Sequence, residues 1–349
     1  MGVDISPLVS ESKKEIDYID LSQKTIAIDA FNQIYQFLAI IRGQDGEPLK
    51  NLAGETTSHL AGLFNRTAHL LEQDIKPIFV FDGEINELKK AEIERRRAIK
   101  AEAQTKMEEA LDLEDYEEAR KFAQATSKIN ETMIESAKLL LKAMGCPVIQ
   151  AKQDGETQAS YLVQKNIAWA VGSQDYDSFL FGSSRLVRNL SMNRTRKFKN
   201  TTIEVKLEYY SLEKILQDLQ ITRSQLIDIG ILVGLDFFEG IKGIGAKTAL
   251  KLIKEYQSIE NIVQNKVEIK KQPIEVDLDL INKVRNIFLN PQINESFEQP
   301  TWKKPDKDKI IEILVEANHF SKDRVEKVLE KLMAKYKGGT QSSLFGYVK

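Results

Sequence analysis

Residues 25–30 read TIAIDA, residues 77–83 read PIFVFDG and residues 168–177 read AWAVGSQDYD: three short apolar runs that end on acids, at Asp29, at Asp82, and at Asp175 with Asp177. A continuous apolar run of this length is the pattern of a strand buried on both faces of a parallel sheet. In such sheets ligands gather at the carboxyl ends of the strands. Acids delivered three times to that edge collect in one crevice. Crowded carboxylates repel one another and call for a divalent cation, and an all-oxygen donor set suits magnesium or manganese.

Working outward, strand candidates fall at 24–30, 76–82, 146–151, 168–174, 185–190 and 202–209. Helical pieces lie between most of them, which predicts an α/β fold with a central, mostly parallel sheet flanked by helices. In the first crossover, Leu60, Leu63, Phe64, Ala68 and Leu71 recur at helical spacing, and Thr56, Thr57 and Ser58 supply capping chemistry ahead of them. The second crossover, 84–145, is nearly free of Gly and Pro and predicts long helices projecting from the sheet. Its charge is segregated, with Lys89, Lys90, Arg95, Arg96, Arg97 and Lys100 in the first half and a run of acids from Glu108 to Glu118 in the second. A solvated helical hairpin with intrahelical ion pairs explains most of these charges. A functional reading turns the basic half toward nucleic acid, since Lys89, Arg96 and Lys100 can share one helical face. A second basic run, 185–200, predicts a positively charged hairpin after a core strand that could contact phosphates.

Two further segments carry chemistry. Asp154 and Glu156 lie where QDGETQASYL leaves the strand CPVIQ and opens a helix, whose N-terminus favours carboxylates. Asp236 sits between a helix and the turn Gly243-Ile244-Gly245, which is followed by Lys247, Thr248 and an apolar helix. The backbone N–H groups of such a turn and the helix N-terminus can bind a DNA phosphate while reading no base. Seven carboxylates therefore stand as one set: Asp29, Asp82, Asp154, Glu156, Asp175, Asp177 and Asp236. Divalent metals at roughly 4 Å separation would activate water and stabilise both oxygens of a phosphodiester displacement.

Composition bounds the alternatives. The 349 residues are 42% hydrophobic and 29% charged, as in an ordinary soluble globular protein. A net charge of −2 argues against a nonspecifically basic DNA coat, although not against acids concentrated in one site with bases elsewhere. The single cysteine, Cys146, rules out an internal disulfide and reads as a buried thiol in a reducing compartment. No apolar stretch reaches membrane-spanning length and no signal-peptide core is present, so a cytoplasmic location is expected. His59, His69 and His319 are scattered and read as packing or surface residues rather than a metal cluster. There is no phosphate-binding GxxxxGK[ST] loop, so nucleotide hydrolysis has no support.

Taken in order, IAIDA, FVFDG, DGE, SQDYD and GLDFFEGIKGIGAK resemble the successive blocks of the flap endonuclease family of structure-specific 5′ nucleases, in its compact archaeal form. The resemblance implies a single nuclease domain over 1–335, with a helical arch at 84–130, a helix-hairpin-helix-type region at 225–257 and a flexible tail at 336–349. It implies cleavage of 5′ flaps in replication and repair, with 5′-3′ exonuclease activity, on branched DNA that includes double flaps. Two Mg2+ are implied per site, with Mn2+ able to substitute: Asp29, Asp82, Asp154 and Glu156 match one group of ligands, and Asp175, Asp177 and Asp236 the other. Lys89 and Arg96 match arch residues at the scissile phosphate, Tyr35 the aromatic that stacks beside the cut, and Arg42 and Thr57 a pocket for a one-nucleotide 3′ flap. Gly2 matches the small residue near the active centre. In the tail, Gln341, Leu344, Tyr347 and Val348 match a sliding-clamp peptide, with Val348 replacing an aromatic, which predicts weaker clamp binding by a monomeric enzyme.

Departures from the family pattern fall inside the site. Asp154 is one methylene shorter than the usual glutamate, which puts its metal contact at the longer reach of a bridging water. Leu235 and Phe237 remove hydroxyls beside Asp236. Gly240 replaces a serine beside a K+ site, leaving carbonyls near Ile241 and Ile244 to hold that ion. Two other readings stay in view. A noncatalytic junction-binding adaptor would have lost carboxylates, and a PIN-like ribonuclease would lack the phosphate-binding turn and the clamp-like tail.

Overall fold

Alternate residues of each central strand are buried in different places, and this defines the architecture. A computed structural model describes residues 2–43, 46–90 and 129–337 except 191–194 and 199–200, together with 93–95, 97–99, 101–102 and 105–106. Strand β1 is Lys14–Ile16, β2 Thr25–Asp29, β3 Lys76–Phe81, β4 Val148–Gln150, β5 Ala170–Gly172, β6 Arg185–Arg188, β7 Thr195–Phe198, β8 Thr201–Glu204 and β9 Leu207–Ser211. In β2 and β3, Ile26, Ile28, Phe79 and Phe81 enter one core, whereas Ala27, Ile78 and Val80 enter the other. A strand side chain alternates faces with a period of two, so a run without polar interruption is what covering both faces demands.

The seven-stranded sheet has the order β1-β9-β6-β5-β2-β3-β4. Strands β6, β5, β2, β3 and β4 run parallel, and β9 is antiparallel to both of its neighbours. One face is covered by α1 (Ala30–Ile40), α2 (Ser58–Glu72) and α3 (Glu131–Ala143). The other face is covered by α4 (Gly155–Gln164), the short α5 (Asp177–Leu180), α6 (Arg223–Val233) and α7 (Ala246–Tyr256). All five residues expected on the apolar face of α2 are buried. Cys146 is buried too, and burial pushes its thiol up, so it stays protonated.

Two expectations change. The segment 202–209 is two strands: β8 pairs with β7 in a separate hairpin, and β9 joins the main sheet beside β1, which the sequence did not signal. The start of α2 has Thr57 at its N-cap without a side-chain bond. Ser58 instead ties the loop, its Oγ accepting from Leu49 N at 2.8 Å and donating to Ile41 O. Arg185 and Arg188 lie in β6, within the strand expected at 185–190, and the β7–β8 hairpin follows it as expected; Arg185 donates to Trp169 O and Arg188 to Gln174 O. Of the second crossover, 93–95, 97–99, 101–102 and 105–106 are helical, while the acidic stretch lies outside the described residues. No helix among the described residues is long and apolar enough to cross a membrane.

Candidate active site

Strands β5, β2, β3 and β4 are sheet neighbours, so the acids after them meet at one edge. Asp29 ends β2 and caps α1, its Oδ1 accepting from Asn32 N at 3.0 Å. Asp82 follows β3 and accepts from the N–H of Gly155, the first residue of α4, at 2.7 Å. Glu156, in the first turn of α4, accepts from Ser178 N at 3.0 Å. Asp177 accepts from Val3 N at 2.6 Å, and Asp175 from Asn32 Nδ2 at 2.9 Å. Asp154 is the N-cap residue of α4, yet its carboxylate does not cap the helix; it pairs with Lys89 Nζ at 2.6 Å. Asp236, in the turn closed by the Leu235–Phe238 bridge, lies within electrostatic reach of Asp177 and Lys89.

Crowding and burial oppose ionisation across this cluster. Burial and then the charge of Asp82 push Asp29 up to about 8, against the Asn32 N–H. Asp82 rises to about 6, chiefly through burial, with the Gly155 N–H pulling it down. Asp177 rises to about 7, burial again leading, with the Val3 N–H opposing and Asp175 and Asp236 adding to the rise. Glu156 is held well above the usual carboxylate range by burial, then by Asp177, Asp175 and Asp29. Ionising each of these groups carries a cost that a nearby cation would lower.

The donor set fits a hard divalent ion, being oxygen throughout with no thiolate or imidazole among the seven acids. Among the described residues no three of them are already gathered closely enough around one point to hold a metal ion. Their charge is met in part by Lys89, whose ammonium acts on both Asp82 and Asp177. The charges of Asp177, Asp175 and Asp29 all act on Glu156, so it lies within reach of acids from both groups that the resemblance separates.

The remaining expected residues take several places. Gly2 lies against the cluster, where an added Cβ would come within 2.7 Å of Asp177 Oδ1 and 2.8 Å of Asp175 Cβ. Tyr35 is exposed on α1, about 9 Å along the helix axis from Asp29 at 1.5 Å per residue. Arg42 donates to Ala39 O and Gly46 O and braces the loop after α1, while Thr57 is buried at the start of α2. Gly243 takes φ +90, Gly245 is the N-cap of α7 with open space beside it, and Lys247 is exposed and Thr248 half-buried in the first turn. Lys89 belongs to a 3-10 turn, Glu87–Lys89, so it does not lie on the regular helical face expected for it. Arg96, Lys100 and the tail residues Gln341, Leu344, Tyr347 and Val348 lie outside the described residues.

Sequence reasoning missed the groups that hold the acids in place. Gly155 has a readable signal, because glycine inside D-G-E lets the backbone approach Asp82, where an added Cβ would sit 2.8 Å from Oδ1. Asn32, three residues after Asp29, carries the spacing of a capping contact. The amides of Val3 and Ser178 carry no sequence signal, since every residue but proline has one.

The sequence and the fold have counterparts among known proteins. Residues 1–103 match the family described as XPG N-terminal domain, 145–236 the XPG I-region, and 221–307 the 5'-3' exonuclease, C-terminal SAM fold. The chain is 48% identical to "Flap endonuclease 1" of Thermofilum pendens, over 99% of this chain and all of the relative. It is 45% identical to that of Pyrococcus furiosus over the whole of both chains. The solved flap endonuclease-1 from Methanococcus jannaschii superposes with a TM-score of 0.70 at 41% identity, covering 92% of this chain and 95% of that one. The catalytic core of Rad2, solved with DNA substrate, shares the fold with a TM-score of 0.74 at 24% identity, over 95% of this chain and all of that one.

Proposed function

The chain belongs to the flap endonuclease family, and from that premise we propose how its own residues carry out metal-dependent, structure-specific cleavage of 5′ flaps in DNA replication and repair. The observation that carries the reading is the convergence of seven carboxylates on one sheet edge beside Lys89. Asp29, Asp82, Asp154 and Glu156 would hold one divalent cation, and Asp175, Asp177 and Asp236 a second. Magnesium is the assigned ion and manganese its substitute. When bound, such cations supply the charge that activates water and stabilises the phosphodiester oxygens.

The protein's part is to bind, orient and neutralise. Lys89 and Arg96 are the residues assigned to stabilise the charge that develops on the scissile phosphate. Tyr35 offers an exposed ring for the base beside the cut, and Arg42 and Thr57 line the region that receives a one-nucleotide 3′ flap. Gly2 keeps the first residues close to the acids. On the duplex side, Gly243, Gly245, Lys247 and Thr248 present backbone N–H groups and one charge to a phosphate, and carbonyls near Ile241 and Ile244 are the assigned K+ site. This division makes residues 1–335 one nuclease domain, with 84–130 as the arch and 225–257 as the duplex-binding region. The tail, 336–349, engages a sliding clamp through Gln341, Leu344, Tyr347 and Val348, and the enzyme works as a monomer with an accompanying 5′-3′ exonuclease activity.

A 5′-labelled double-flap DNA incubated with magnesium and the full chain tests the reading, with Asp175→Ala beside it. Cleavage next to the junction by the native chain and its loss in the variant are expected. No junction cleavage by the native chain would overturn the activity, and equal cleavage by the variant would overturn the metal assignment.

A further inference from the structure

Lys89 is fixed in place on three sides. The segment that carries it is stapled to the loop before α4: Gly83 N donates to Gln153 O at 2.6 Å, Glu84 N to Lys152 O at 2.9 Å, and Asn86 Nδ2 to Gln153 Oε1 at 3.3 Å. The ammonium then pairs with Asp154 at 2.6 Å, with both side chains about four-fifths buried. On the other side it stands 4.8 Å from the centroid of the Phe237 ring. Phe237 is itself buried and meets Phe288 edge-on at 5.6 Å, so the ring is a fixed surface. A desolvated ammonium over an aromatic face is attracted by the ring quadrupole.

Such a contact is expensive for a lysine that only decorates a surface. Burial disfavours its charge, yet Asp154, Asp236 and Asp82 outweigh that penalty and keep it ionised. The carboxylates gain in turn, since Lys89 lowers the cost of ionising Asp82 and Asp177. Lysine thus supplies positive charge to the place where a divalent ion would supply more of it.

We propose that Lys89 is the resident counter-ion of the acid cluster before a divalent cation binds, and that Asp154 and Phe237 are positioning residues that dock it there. The inference rests on the reading of the acids as metal ligands. A divalent cation competes with the ammonium for the same carboxylates, so metal binding weakens the docking and frees Lys89 for the DNA phosphate. Linkage is reciprocal: whatever loosens Lys89 must tighten the metal by the same factor.

The test is divalent-ion affinity of the full chain without DNA, read from the electron paramagnetic resonance signal of free Mn2+. Lys89→Met is expected to bind Mn2+ roughly five-fold or more tightly than the native chain, the low end of coupling between linked sites. Lys89→Arg, which keeps the charge, should stay near the native value. Phe237→Leu should tighten binding by a smaller factor and Phe237→Tyr should not; in the Lys89→Met background Phe237→Leu should have no further effect. A Lys89→Met protein that melts like the native chain in saturating Mn2+ but binds it no more tightly overturns the proposal. Should that variant fail to fold, unchanged affinity in Phe237→Leu overturns it instead. Asp175→Ala separates the two readings, because unimpaired Mn2+ binding there removes the metal assignment itself.

Discussion

The amide N–H of Val3 donates to Asp177 Oδ1 at 2.6 Å, tying the start of the chain to a carboxylate 174 positions later. Gly2 makes that approach possible. Hydrogen bonds to charged acceptors contribute about 1.5–3 kcal/mol, and this one also sets which way an acid of the cluster faces.

Gly2→Val should therefore injure the site more than the fold. Its Cβ would overlap Asp177 Oδ1 and Asp175 Cβ, both nearer than 3 Å, and these are not flexible chain ends. We expect Mn2+ affinity and cleavage rate to fall by about tenfold or more, since small misplacements of catalytic groups can cost about a hundredfold. Thermal stability should fall by no more than the ~1.5–3 kcal/mol of one lost hydrogen bond. A variant with native affinity and rate would contradict this.

Gly155→Ala is the corresponding test on the other side of the cluster. Its N–H holds Asp82 at 2.7 Å, and an added methyl group would press on the same oxygen. The turnover number should drop by about one to two orders of magnitude. KM for a double-flap substrate should change little, because the proposed duplex contacts at Gly243, Gly245 and Lys247 belong to a different element. A raised KM with native turnover would point to a DNA-binding role instead.

The acids also give the metal-free protein an unusual pH response. Asp29, at about 8, and Asp177, at about 7, hold protons in the folded state that the unfolded chain has already released. The folded state then binds more protons, so these groups make stability decline as pH rises from the ordinary carboxylate value of 3.8 to about 8. Melting temperature in EDTA should fall from about pH 6.5 to about pH 8, and the rise produced by magnesium should be larger at pH 8 than at pH 6.5. Equal magnesium shifts at both values would argue against the acids as its site. Below about 6.5 the buried His59 adds the opposite slope: burial lowers it to about 4, so its contribution is lost as pH falls. Holding that ring neutral costs the folded state about 3 kcal/mol once pH is below 4.

On the duplex side, Lys247→Ala should weaken DNA binding to a similar degree for every sequence. The dependence of log affinity on log salt should shrink by roughly one, as for the loss of one phosphate contact. Sequence-selective loss would instead mean that this turn reads bases. The open space beside Gly245 and the exposure of Lys247 are what make a backbone phosphate the expected contact.

How much of this was legible follows from the range of each interaction. TIAIDA and PIFVFDG declared themselves as strands because both faces of a central strand are covered, and that requirement appears in six consecutive residues. Asp29, Asp82 and Asp175 were readable because a strand end has a fixed place in a parallel sheet. The break near residue 205 was not, because β8 and β9 are each good strands and only their partners differ. Thr57 makes no side-chain cap, and Ser58 is engaged instead on the backbone of Ile41 and Leu49.

The sequence by itself determined the central parallel strands, the edge at which their acids collect and the turn before α7, since each depends on periodicity or spacing within a few residues. Tertiary structure alone decided that Lys89 pairs with Asp154 over Phe237, that Val3 reaches Asp177, and that Gly155 carries Asp82. Those contacts join positions 65 to 174 residues apart. Nothing local encodes them, because the donors are ordinary amides and an ordinary lysine whose partners are chosen only when the chain closes around the sheet.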